Sequence, residues 1–231
     1  MQKSDWPRIT AERLEAYQSA AMANAERLLT EAKLLLENRH FPRAYFLAVA
    51  TIEEVGKAMI AFDARGRNLR DSAVQSKVSR LLADHEAKIR TAFTGFLEAD
   101  ARKNAETAVK LIIALQRGRE PAMYTDLLSD GSIRSPSAVV AARQAIDCVR
   151  LARDCLASAE AHAGSKPPTA RTAAQDQWFA LKSSESMKVV NKEDFWWYFI
   201  NRMEGGHKDM AEAVMKYRSE YLLQHRKFKN E

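Results

Sequence analysis

The chain has 231 residues and a mass of 26.1 kDa, with 46% hydrophobic and 29% charged residues but only 8 Gly and 6 Pro, which excludes a disordered chain and favours helix over turn-rich folds. Its net charge of +6 is concentrated, since 12 basic and 6 acidic residues lie between Arg65 and Arg119; this segment is either the footprint of an anionic partner such as RNA or a solvated helical surface. No uncharged apolar run approaches the roughly 18 residues of a membrane span, and the N-terminus MQKSDWPRIT lacks the apolar stretch of a signal peptide, so a cytoplasmic protein without membrane contact is expected.

A first helix is predicted from about Thr10, a candidate cap, to about Asn38, with Leu14, Ala21, Leu28 and Leu35 forming a narrow seam. His40 and Pro42 interrupt it, and Pro42 opens a second helix that runs to about Ala64. A third begins near Asp71 or Ser72, carries Val74, Val78, Leu82, Ile89 and Phe93, and either continues past Gly95 or breaks there. A loop from Gly118 to Pro136 precedes a helix from about Ser137 to Ala161. Gly164 to Thr172 (GSKPPTART) reads as a linker. No stretch alternates with period two, so the expected fold class is all-α: an antiparallel bundle of four or five helices over residues 10–163.

Residues 173–231 differ in character, because 10 of the 19 aromatic side chains fall in the last 61 residues. The run FWWYF, Phe195 to Phe199, cannot face one side of a helix and needs cover from the bundle or from a second subunit. Asn191 or Asp194 is the expected cap of that helix, and Gly205–Gly206 separates it from a last helix reaching about Lys227. Cys148 and Cys155 lie two helical turns apart, roughly 10 Å, too far for a disulfide, and are expected as small core residues.

The second helix carries the chemistry. Ala44 to Ile52 (AYFLAVATI) is apolar almost all round, and Glu53, Glu54 and Lys57 follow at once. Glu53 and Lys57 stand i,i+4 in the favourable order. At least one carboxylate must enter the bundle, where it requires a partner. His85, on the stripe of Val78, Leu82, Ile89 and Phe93, is expected to point inward to meet it, with Lys88 one turn later. Such a cluster either fixes helix register or forms a site. Glu37–His40 and Glu204–His207 have Glu-x-x-His spacing, but a proline follows one pair and two glycines divide the other, so neither is a ligand set. No metal, phosphate loop or cofactor motif is expected.

Together, RAYFLAVATIEEVGKAMI, the later DHEAK, GREPAMYTDLLSDG and SPSAVVAARQAI resemble the AbiV family of abortive infection proteins, within the HEPN-like helical superfamily. The resemblance covers about Leu14 to Ala161. It implies an α-helical, cytoplasmic homodimer that limits phage propagation, with translation arrest or RNA damage as the means. Many HEPN proteins are ribonucleases that use an Arg and, four to six residues on, a His at a dimer interface. Arg119 matches that Arg, whereas Tyr124 stands at the place of the His; His85 supplies the imidazole if its helix reaches the loop. Under this reading Arg119, His85 and Tyr124 are the catalytic candidates. The alternative is a non-catalytic helical protein that binds and inhibits a phage or host factor, with Glu53, Glu54, Lys57 and Lys88 as a binding or structural cluster.

Overall fold

The computed structural model describes residues 8–93 and 121–228, and its regular structure there is helical apart from one two-stranded ribbon. The chain divides into two compact units, residues 1–65 with 78–169 and residues 66–77 with 170–231.

In the first unit, α1 (Ala11–Glu37) starts at Thr10, whose hydroxyl accepts the Arg13 N–H at 3.3 Å. It ends in a left-handed turn at Arg39 (φ 61°), with His40 N–H donating to the Leu35 carbonyl at 2.8 Å and Arg39 N–H to that of Leu36 at 3.0 Å. The tight turn folds α2 (Phe41–Arg65) back along α1, and the Ala25, Leu29 and Ala32 face of α1 joins the core that α2 contributes with Ala44, Ala48, Val49, Ile52 and Val55. Small alanines at that seam let the two backbones approach closely.

The expected third helix is interrupted earlier than Gly95. It is two helices, α3 (Ser72–Ala83) and α4 (His85–Ala92), because the Asp84 carboxylate accepts the N–H groups of Glu86 at 2.9 Å and Ala87 at 3.1 Å and so starts a new helix. Residues 94–120, including Gly95, lie outside the described residues.

Within the expected loop is a hairpin that the sequence reading lacked: β1 (Asp126–Leu127) pairs antiparallel with β2 (Ile133–Arg134). Gly131 closes it at φ 81°, and Arg134 bonds across to Asp126 at 2.8 Å. The helix predicted from Ser137 is split into α5 (Pro136–Val139) and α6 (Ala142–Ser165), with buried Val140 between them. α6 runs past Gly164, where the linker was expected to begin, and stops where Lys166 turns extended (φ −154°, ψ 151°). A residue preceding proline, here Pro167, is driven out of helical geometry.

Cys148 and Cys155 are free and buried on α6. Burial pushes both thiols up, Cys155 to about 12. Neither should react with a thiol reagent at pH 8 until the protein is unfolded, and stoichiometric labelling of native protein would contradict this packing. Above about pH 9 the unfolded thiols ionise while the folded ones stay protonated, so their contribution to stability falls as pH rises.

The second unit contains α7 (Ala173–Ala180), α8 (Ser183–Val190), α9 (Glu193–Glu204) and α10 (Met210–Tyr217), followed by a wide helical turn over Arg218–Leu222. Val189, Phe195, Tyr198, Val214 and Tyr217 form its core, with Tyr221 and Phe228 packed on the rings. α10 therefore ends well before Lys227. Neither Asn191 nor Asp194 caps α9. Asn191 ends α8, and Asp194 accepts the Tyr217 hydroxyl at 2.5 Å and the Phe228 N–H at 3.2 Å. A buried phenol on α10 needs an acceptor, and that demand outweighs the local cap; burial and the Asp194 carboxylate push the phenol's pKa up.

Candidate functional site

α2 is buried along most of its length, and Gly56 explains how α4 reaches it. A Cβ at Gly56 would lie 1.9 Å from the Lys88 carbonyl oxygen, so the two backbones are in contact there. Glu53 sits one turn before Gly56, and Lys88 and His85 reach back toward it from α4. Glu53 Oε2 accepts His85 Nδ1 at 2.8 Å and lies 3.7 Å from Lys88 Nζ.

The burial of the three differs from the expectation in one respect. The Glu53 and Lys88 side chains are 6% and 5% exposed, whereas that of His85 is 55% exposed. His85 is not an inward core residue. The new helix begun by Asp84 leaves His85 in its first turn, at the rim, and turns Lys88 inward in its place.

The pairing on α2 also differs. Lys57 bonds Glu54 at 2.5 Å, i,i+3, and not Glu53. Neighbouring positions on a helix diverge by about 100°, so Glu53 faces α4 while Glu54 and Lys57 share their side with Tyr17 of α1. Burial raises the Tyr17 phenol, with Lys57 lowering it and Glu54 raising it. Tyr17 was not read from the sequence as part of this cluster, since nothing local distinguishes it from a seam residue.

Tyr124, 60% exposed, precedes the hairpin and is not a hydrogen-bond partner of His85 among the described residues. Leu127 and Ile133, paired across the ribbon, are 76% and 74% exposed. Arg119 lies outside the described residues.

A carboxylate oxygen accepts a hydrogen bond, so in a neutral imidazole the Glu53 contact favours the Nδ1–H tautomer and leaves Nε2 as the basic nitrogen. A buried carboxylate behind a solvent-accessible imidazole is the arrangement by which proteins orient a general base. Equally, Glu53 with His85 and Lys88 locks α2 to α4.

Compared with known protein families, residues 13–157 match the family model HEPN_AbiV, described as AbiV. The chain belongs to the AbiV family. That membership places it in abortive infection, an antiphage defence, and its helical body in the HEPN fold. The matched region includes Glu53, Glu54, Lys57, His85, Lys88, Arg119 and Tyr124, and stops before α7 begins. No curated protein and no solved structure matches the chain significantly. No described helix of this AbiV-family chain is long and apolar enough to cross a membrane.

Proposed function

We propose that this AbiV-family protein acts in antiphage defence on RNA, with His85 as its proton acceptor and Arg119 as its phosphate-binding group. The supporting observation is the 2.8 Å contact that aligns a half-exposed His85 on a buried Glu53. Cleavage through the ribose 2′-OH needs an acceptor near neutral pH; phenols, ordinarily near 10, are poorly suited to that task, and imidazoles, ordinarily near 6.5, are well suited. A guanidinium such as that of Arg119 has the fork geometry to hold a phosphate bidentately. A ribonuclease reading expects His85→Ala and Arg119→Ala each to abolish RNA cleavage and phage protection, a loss of about 10²-fold or more, with helical circular dichroism unchanged. Protection undiminished in both variants would sink this site.

The second reading, a non-catalytic protein that binds a phage or host factor, draws on the exposed apolar pair Leu127 and Ile133 and on Tyr124 beside them. It expects no cleavage by wild type, and loss of protection on Leu127→Asp.

In either reading the working unit is a homodimer, supported by the half-exposed Trp196, Trp197 and Ile200 on α9. Light scattering should return twice the 26.1 kDa chain mass; a concentration-independent monomer refutes it.

A further inference from the structure

Residues 66–77 lie inside the stretch matched to AbiV, yet they pack with residues 170–231, which lie beyond it. The connection between α2 and α3, residues 66–71, is where α7 takes hold of them.

The grip is built from the start of α7. Thr172 accepts the Gln175 N–H at 3.2 Å, and the Gln175 side chain accepts the Thr172 N–H at 3.1 Å. Asp176 then falls in the first turn, where the helix dipole favours a carboxylate, and Phe179 stands three residues on, along the same face. Arg67 sits over the Phe179 ring, its Cζ 3.7 Å from the centroid, with Nη1 3.2 Å from Asp176 Oδ1. The other carboxylate oxygen, Oδ2, accepts the Asn68 N–H at 2.8 Å. The N–H of Arg171, just before the cap, donates to the Gly66 carbonyl at 2.8 Å. Three consecutive residues of the connection are therefore each held. The Asp176 and Arg67 side chains are only 5% and 10% exposed, so removing either one leaves the other as an uncompensated buried charge.

These contacts are mostly polar. The core of α8–α10, made by Val189, Phe195, Tyr198, Val214 and Tyr217, draws on no residue of 66–71 among those described. Half-buried Leu69 is the one large apolar side chain in the connection. A segment with so little buried apolar surface opens at lower cost than the core beside it. We propose that the connection is a clasp, closed by Asp176 and Phe179 on Arg67, which opens from α7 as a local step while the α8–α10 core stands. Through it the C-terminal segment restrains part of the AbiV-matched stretch. No member of the α2–α4 cluster takes part, so the clasp stands or falls apart from the reading of His85.

The test is hydrogen exchange of the full-length protein, followed amide by amide by NMR. In wild type the Asn68 amide should exchange at least tenfold faster than those of Val214 and Tyr217 in α10, because its opening is local. Asp176→Asn should speed Asn68 at least a further tenfold and leave the two α10 amides within twofold. Arg67→Gln, which keeps Asp176 in place, should do the same, and His85→Ala should leave Asn68 unchanged. Trypsin, which must draw the Arg67 side chain out of its seat, should cut after Arg67 at least tenfold faster in Asp176→Asn than in wild type. An Asn68 rate in wild type equal to that of α10, acceleration of Asn68 and α10 by a common factor, or an Asn68 rate within twofold of wild type in either variant overturns the clasp.

Discussion

Gly56→Ala should destabilise the protein by about 3 kcal/mol, the upper part of the range for forcing extra atoms into a packed interior. The added methyl would meet the Lys88 carbonyl at 1.9 Å, and a backbone oxygen cannot rotate aside as a side chain does. The sign is diagnostic. In a helix interior without such a contact, Ala is favoured over Gly by about 0.5–1 kcal/mol, so an ordinary site would gain stability. At 2–4 °C per kcal/mol for a chain of this size, the thermal midpoint should fall by about 6–12 °C. A midpoint equal to or above wild type would show that α2 and α4 are not in backbone contact.

Lys88→Met should cost about 3 kcal/mol in urea unfolding, at the lower edge of the range for breaking a buried ion pair. The substitution keeps an unbranched side chain of similar length, so little packing is lost, while Glu53 keeps His85 but loses the ammonium. Glu53→Gln together with Lys88→Met should cost less than the two single changes added, by about 1–3 kcal/mol, because the double variant buries no unbalanced charge. Both side chains are about one-twentieth exposed, so the coupling should persist in 0.5 M salt, where a surface pair would fade. Strict additivity would mean that Lys88 and Glu53 do not interact energetically.

The sequence carries the ends of α1 plainly, because Thr10 supplies a cap, an Ala/Leu seam sustains the period and Pro42 forces a restart. The burial of α2 is equally legible in an uncharged run followed by two carboxylates. The residues gathered around Glu53 could be named from type and stripe, but their pairing could not. Spacing favoured Lys57 for Glu53, and the approach of α4 at Gly56 drew Glu53 away and left Lys57 to Glu54. The break at Asp84 leaves no trace in the pattern, since Val78, Leu82, His85 and Ile89 keep a helical spacing straight across it. The hairpin leaves little, because strands of two residues show no alternation, and only Asp130–Gly131 marks its turn. Asp194 has the residue type of a cap, but its partner, Tyr217, is 23 residues away and leaves no local signal.

The interruption at Asp84 also determines how the chain tolerates change in length. In one continuous helix, each residue gained or lost in the α3 portion would swing everything after it by about 100°. His85 would leave Glu53, and Lys88 would leave the interior. With its own cap, α4 takes its rotational phase from Asp84 and from the seat on Gly56, and inherits none from α3. Upstream length variation is therefore absorbed at the junction. The orientation of the Glu53–His85–Lys88 group is insulated from it, and the dependence falls instead on a single carboxylate outside the group.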